Sequence, residues 1–269
     1  MSLPIIMVVG EAGSGKDTVS GMLVKHLNGV CIAQADPMKR FAAEVFGFDK
    51  DQLWGPSECR NATDTRFADL LVRNKTSRKL TSDDDDYVND WIAEVIDIID
   101  YGEPYWRLME WGEAILKDAE NGLTPRKVLQ TLGTEWGRNC SPNMWINYAS
   151  SRALKLLNGG HTYDQSIGLI ENDSPGYGSV IITDGRFRNE ILAVKKLGGK
   201  VIKIINPVPA KINEAELAGV VGHKSESEQR RIPEWFFDAI LVNDKSIGLD
   251  SLEQKVLSLA VGLFKSSVY

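Results

Sequence analysis

Nine residues near the start of the chain, Gly10-Glu11-Ala12-Gly13-Ser14-Gly15-Lys16-Asp17-Thr18, constrain it more than any others. They follow a short apolar run, Ile5–Val9, and precede a stretch in which Val19, Met22, Leu23 and Leu27 recur at helical spacing. Strand, glycine loop and helix in that order are the context that G-x-x-x-x-G-K requires. Such a loop turns backbone N–H groups inward around a phosphate, and the helix N-terminus behind it favours negative charge. Gly10, Ala12, Gly13, Ser14, Gly15, Lys16, Asp17 and Thr18 are therefore expected to bind the phosphates of a nucleoside triphosphate. Lys16 would follow the charge on the β- and γ-oxygens as it moves, which makes it a catalytic candidate.

The residue after the lysine departs from the usual Ser or Thr, whose hydroxyl ligates Mg²⁺. Here it is Asp17, with the hydroxyl displaced to Thr18. Two readings stand. A carboxylate is a competent hard ligand, so Asp17 and Thr18 are the candidate metal residues. Alternatively, Asp17 is a first-turn acid favoured by the helix dipole.

The remaining pattern predicts the fold. Val30–Gln34 reads as a second strand, and Asp36 as an N-cap before Pro37 starts a helix over Met38–Phe46 that Gly47 ends. Helical spacing continues in Trp91–Ile99 and Tyr105–Leu116, interrupted by the Asp83–Asp86 run, which reads as a solvated loop. Further helices are expected over Arg126–Trp136 and Met144–Leu157, and residues 159–178, rich in Gly, Asp, Ser and Pro, read as a mobile surface connection. Strands resume at Ser179–Thr183, Lys200–Ile205 and Ala239–Val242, and Leu249–Phe264 closes the chain as an amphipathic helix. Short apolar strands separated by helices predict an α/β fold of the P-loop class, a three-layer αβα arrangement around a five-stranded parallel sheet. Residues 1–48 and 179–269 would form this core, with a lid at 207–235, and residues 49–178 a helical insertion.

Charge and composition exclude several classes. The net charge is −6, but residues 81–120 hold thirteen acidic and two basic residues, leaving the rest of the chain at +5. That block repels a polyanion, so no nucleic acid polymer is expected as partner. No apolar run is long enough for a membrane span, and the N-terminal MSLPIIMVVG lacks the basic flank of a signal peptide. Cys31, Cys59 and Cys140 are widely spaced and suit a reducing cytoplasm, and His26, His161 and His223 have no zinc-site spacing.

The reaction is narrowed by what surrounds the loop. There is no N-K-x-D guanine motif, since Asn243-Asp244-Lys245 has another order, and no apolar strand ends in Asp-Glu. Instead, the third strand runs into Asp184-Gly185-Arg186-Phe187-Arg188-Asn189-Glu190. Asp184 falls at the carboxyl end of a strand, where ligands bind in such sheets, and could hold the metal's water shell or the acceptor. Arg186 and Arg188 could grip the acceptor's phosphate through planar forks.

At this point the chain resembles the deoxynucleoside monophosphate kinases of tailed bacteriophages, nearly end to end. The resemblance is carried by GSGKDT (Gly13–Thr18), ADPMKR (Ala35–Arg40), LQTLGTEWGR (Leu129–Arg138), TDGRFRNE (Thr183–Glu190), HKSE (His223–Glu226) and VND (Val242–Asp244). It matches least over residues 48–120. It implies transfer of the γ-phosphoryl group of ATP to a deoxynucleoside 5′-monophosphate, with Mg²⁺, in the cytoplasm of an infected host cell, by an enzyme that tends to dimerise. It further implies acceptor contacts from Asp36, Lys39, Arg126, Lys127, Gln130, Arg138, Asp184, Arg186 and Glu190, and a base-stacking role for Trp145. Asp184 and Arg186 join Lys16 as catalytic candidates. His223, Glu226, Arg230 and Arg231 would belong to the lid, and Asn243 would lie beside the adenine. Trp145 as a core residue, Arg230 and Arg231 as a solvated charge run, and Asn243 as a loop brace remain alternatives. Kinases for other small acceptors, such as dephospho-coenzyme A, a sugar acid or a phosphomevalonate-like compound, share the loop.

Overall fold

The computed structural model describes residues 4–11, 13–81, 87–96, 102–207 and 231–265. Its strands are β1 (Ile5–Val9), β2 (Gly29–Ile32), β3 (His161–Asp164), β4 (Gly168–Glu171), β5 (Ser179–Gly185), β6 (Lys200–Ile205) and β7 (Ala239–Val242). Five of them form the expected parallel sheet, and its order is β2-β5-β1-β6-β7. β1 lies at its centre, and all five of its side chains are fully buried. A strand covered on both faces needs no polar alternation, which is why it reads IIMVV.

Among the described residues, the first helix, the last helix and the one that follows β5 pack against this sheet. On one face α1 (Lys16–Leu27) packs with the last helix, α11 (Gly248–Lys265), and Val19, Leu23, Leu252 and Val256 meet Ile6, Val8 and Ile202. α10 (Arg188–Lys196) packs against β1 and β6. Val9 pairs with Gly185 after a register shift between Met7 and Val9. A Cβ on Gly185 would lie 2.5 Å from Met7 Sδ, so glycine permits this approach.

The chain divides into two compact units, 1–34 with 149–165 and 169–269, and 35–148 with 166–168. The first holds the parallel sheet. The second holds α2 (Asp36–Phe46), α3 (Lys50–Trp54), α4 (Ser57–Asn61), α5 (Leu70–Thr81), α6 (Tyr87–Val95), α7 (Gly102–Lys117), α8 (Pro125–Thr131) and the first turn of α9 (Met144–Asn158). α2, grouped with the core by the sequence, is instead part of the helical unit. Its Phe41, Val45 and Phe46 bury among Phe67, Trp91, Trp111 and Trp136. The buried indoles all find acceptors: Trp91 donates to Pro37 O at 2.9 Å, Trp136 to Pro104 O at 2.9 Å and Trp111 to Thr131 Oγ1 at 3.0 Å. Satisfying the one polar atom of each ring removes the cost of burying it.

Four local expectations change. Residues 159–178 are not a featureless connection, because β3 and β4 pair there as a two-stranded sheet. Asp36 is not an N-cap: the cap position is Ala35, and Asp36 is 3% exposed with Oδ1 3.5 Å from the Trp54 indole nitrogen. α6 ends at Val95, and the Asp83–Asp86 run lies outside the described residues. The helix expected over Arg126–Trp136 divides, with α8 capped by Thr124 and continuing as a π-helix over Leu132–Arg138.

The π-helix has identifiable supports. Trp145 donates its indole N–H to Gly133 O at 2.9 Å, and Asn139 Nδ2 donates to Glu135 O at 2.7 Å. Gly133 and Gly137 admit close neighbours: a Cβ on the first would lie 2.9 Å from Met38 Sδ, and one on the second would fall on the Trp145 ring. Gly137→Ala should therefore destabilise the chain by about 1–3 kcal/mol through overpacking. Urea unfolding would show it as a lower midpoint, and an unchanged midpoint would remove the ring contact as the reason for glycine.

Candidate active site

The phosphate loop follows directly from the end of β1. Gly10 has no room for a side chain, since a Cβ would lie 2.6 Å from Ser14 Oγ and 2.8 Å from Ile204 O. Gly13 and Gly15 take φ of 72° and 91°, a region that L side chains avoid. The Ser14 N–H closes a turn onto Glu11 O at 3.2 Å. Lys16 lays its ammonium over the same loop, donating to Gly10 O at 2.6 Å and Glu11 O at 2.8 Å. Ala12 lies outside the described residues.

The loop is braced by the last strand. Asn243, just past β7 and 6% exposed, donates through Nδ2 to Ser14 O at 2.9 Å. Its own N–H is held by Ile205 O at 2.8 Å. Of the two roles the sequence left open for Asn243, the loop brace is present in this geometry.

Above the brace opens a cavity of 390 Å³, lined by Gly13, Gly15, Lys16, Asp17 and Thr18 on one side. Asn243, Asp244, Gly248, Leu249 and Leu252 line the other. That volume falls in the range of small-molecule sites. Asp17 and Thr18 are exposed in the first turn of α1. Mg²⁺ keeps most of its waters and takes one or two protein ligands beside substrate phosphates. The exposed carboxylate and hydroxyl adjoining Lys16 fit that demand.

Asp244, Gly248, Leu249 and Leu252 are not among the expected site residues. Their place past the last strand was the available signal, because ligands gather at the carboxyl ends of such strands. The Asp244 carboxyl is held below the usual carboxylate range, first by the Ser246 hydroxyl at 2.7 Å and then by the Ser246 N–H at 2.9 Å. It thereby shapes the turn at residues 245–247.

The pairing of Val9 with Gly185 brings Asp184 beside the loop's own strand. Asp184 Oδ1 accepts the Gln34 N–H at 2.8 Å, tying the chain beyond β2 to β5. Arg186 is exposed in the following turn. Glu190, expected to meet the acceptor, is 4% exposed, and its Oε2 accepts the N–H groups of Arg186 at 2.8 Å and Phe187 at 3.0 Å. Its carboxylate therefore shapes the turn that presents Arg186. Arg188 rests its guanidinium over the Phe236 ring at 4.6 Å.

The other expected acceptor residues lie in the helical unit. Lys39 sits over the Trp54 ring at 5.5 Å, the same indole that meets Asp36. Arg126 donates through Nε to Asn61 Oδ1, joining α8 to α4, and α8 also packs on α2. Lys127 Nζ stands 3.5 Å from Asp118, while Gln130 and Arg138 are half-buried. Trp145 is 4% exposed, packed on Trp136 with centroids 6.1 Å apart and with its indole N–H already bonded. This enclosure places it in the core and leaves a base no face to stack on. Arg231 is exposed, and His223, Glu226 and Arg230 lie outside the described residues.

Comparison with known proteins agrees with this geometry. Residues 4–256 match the family model described as deoxynucleotide monophosphate kinase, so the chain belongs to that family and is a transferase. A protein of Acanthamoeba polyphaga mimivirus, named as a candidate deoxynucleotide monophosphate kinase, is 26% identical over 247 residues, covering 90% of each chain. The deoxynucleoside-5′-monophosphate kinase of Escherichia phage T5 is 28% identical over 268 residues, covering 92% of each.

The Glu190 turn yields a direct expectation. Glu190→Ala strips the N–H groups of Arg186 and Phe187 of their acceptor and should destabilise the chain by about 1–3 kcal/mol. Glu190→Gln keeps an acceptor oxygen and should recover most of that loss in chemical denaturation. Equal losses in both variants would show that charge, and not the paired hydrogen bonds, holds the turn.

Proposed function

We propose that this member of the family transfers the γ-phosphoryl group of ATP to a deoxynucleoside 5′-monophosphate, giving ADP and a deoxynucleoside diphosphate. The observation that carries this reading is the braced phosphate loop facing a nucleotide-sized cavity, with Lys16 at the loop and Asn243 beneath it. The family match over residues 4–256 supports the choice of a nucleotide acceptor.

Phosphoryl transfer asks little covalent chemistry of a protein and much positioning and charge stabilisation. The loop N–H groups and Lys16, on leaving the Gly10 and Glu11 carbonyls, bind the β- and γ-oxygens and follow charge toward the leaving group. Asp17 and Thr18 would hold Mg²⁺, which would supply positive charge against the charge on the triphosphate. Asp184 and Arg186 align the acceptor phosphate as nucleophile, and Glu190 acts through Arg186. The resemblance assigns Asp36, Lys39, Arg126, Lys127, Gln130 and Arg138 to acceptor binding as well. A phosphate dianion needs no strong general base, and none is assigned. The reaction is placed in the cytoplasm of an infected host cell, with the enzyme a homodimer that engages neither nucleic acid polymer nor membrane.

A coupled ADP-release assay across dAMP, dGMP, dCMP and dTMP tests this reading, with dephospho-coenzyme A, a sugar acid and phosphomevalonate as controls. Turnover is expected with at least one deoxynucleotide, and turnover with none of them would overturn the proposal. Lys16→Ala should lower kcat by about 10²–10³-fold, the scale for removing one transition-state donor.

A further inference from the structure

We infer that Trp54 is a positioning residue for the acceptor: its ring holds the Lys39 ammonium in place to meet the acceptor's phosphate. This rests on the reading that Lys39 belongs to the acceptor site. No motif marks Trp54, which lies in the stretch where the family resemblance is weakest.

The seven tryptophans divide by burial and by what they touch. Trp91, Trp111, Trp136 and Trp145 are at most 7% exposed, and each donates its indole N–H to a backbone carbonyl or to the Thr131 hydroxyl. Trp106 and Trp235 are 67% and 73% exposed. Trp54 is half-buried, at the end of α3 and against α2. Its indole N–H points at Asp36 Oδ1 from 3.5 Å, the outer limit of a hydrogen bond, and Lys39 Nζ lies over its ring at 5.5 Å from the centroid. Asp36 and Lys39 are three residues apart and share one face of α2. One planar ring thus meets an acid with its edge and a base with its face.

The chain holds that ring firmly. α3 has five residues, too few to be stable through its own hydrogen bonds. Its neighbours supply what its length does not. Asp49 and Gln52 form a capping box, with the Gln52 N–H donating to Asp49 Oδ1 at 2.8 Å and the Asp49 N–H to Gln52 Oε1 at 2.9 Å. Gln52 Nε2 also donates to Asp64 at 3.2 Å, and Leu53 is fully buried. On the other side of Trp54, Gly55 O accepts Arg60 Nη1 at 3.0 Å. Pinned before and after, Trp54 is a fixed surface against α2.

A lysine needs such a surface if it is to wait for a phosphate. Its long stem has much rotamer freedom to lose on binding, and that loss weakens the complex. An aromatic face attracts an ammonium through its quadrupole and supplies no opposite charge, so the ring places the cation without neutralising it. A carboxylate in the same position would place it too, but would compete with the acceptor's phosphate.

Steady-state kinetics of the full chain test this, varying in turn ATP and the deoxynucleotide that the wild type uses best. Trp54→Phe keeps an aromatic face, and Trp54→Met fills the space without one. Trp54→Met should raise KM for the deoxynucleotide about five- to tenfold, and Trp54→Phe should recover most of that loss. KM for ATP should stay within about twofold in both. A merely structural ring does not produce this split, because loss of folded enzyme lowers kcat and leaves both KM values alone. In a Lys39→Ala background, Trp54→Met should change the deoxynucleotide KM by less than about twofold, since the group it positions is gone. An unchanged deoxynucleotide KM in Trp54→Met overturns the inference, as does an equal rise for ATP or a full further rise in the Lys39→Ala background. Should Trp54→Met fail to fold, emission decides: the deoxynucleotide should alter wild-type tryptophan fluorescence, and Trp54→Phe should abolish that response. A response that is absent, or that survives in Trp54→Phe, then overturns it. A wild type that turns over no deoxynucleotide retires the kinase reading and this inference with it, whereas turnover with an unaffected Trp54→Met retires this inference alone.

Discussion

The sheet unit depends on the placement of β1 between two partners. Pairing with β5 on one edge and β6 on the other sets where the chain leaves the sheet at Gly10, and which neighbours it meets there. Val9 faces Gly185, so the phosphate loop and the Asp184 turn begin side by side. β6 in turn pairs with β7, which delivers Asn243 beneath Ser14. One hydrogen-bonded ladder thus collects three segments that span more than 200 positions of the chain. A glycine-rich loop cannot hold such an arrangement itself, because its glycines have no side chains to pack and the most backbone freedom to lose.

The helical unit solves a different problem. It buries several large indoles, each with one polar atom that must be satisfied, and it does so mostly with backbone carbonyls. The π-helix at Leu132–Arg138 belongs to this solution, since Gly133 both admits Met38 and offers its carbonyl to Trp145. A half-buried ion pair ties three helices together. Arg40 donates to Glu94 at 2.9 Å and to the Tyr148 hydroxyl at 2.7 Å, joining α2, α6 and α9.

Much of the site could be read from residue types, but not the division of labour within it. Glu190 and Asn243 belong to recognisable blocks, which suggested contact with ligands. In the structure the Glu190 carboxylate holds the Arg186 turn, and the Asn243 amide holds the loop. Polar residues in such blocks serve either the ligand or the backbone that presents it, and composition does not separate the two. Trp145 shows the same limit from the apolar side. A tryptophan beside a nucleotide motif suits stacking or core equally, and only its 4% exposure and its bond to Gly133 assign it to the core.

By itself the sequence determined the strand, glycine loop and helix, the parallel sheet and the phosphate chemistry. Each rests on local periodicity or on glycines whose backbone angles no other residue adopts comfortably. Only the tertiary structure decided which segments meet the loop, because pairing order joins residues that spacing cannot relate. It also placed α2 in the helical unit, paired β3 with β4, widened the helix after Thr131, and turned the Asn243 amide with its nitrogen toward Ser14. These outcomes depend on which neighbour satisfies each buried polar group, and that is settled by packing.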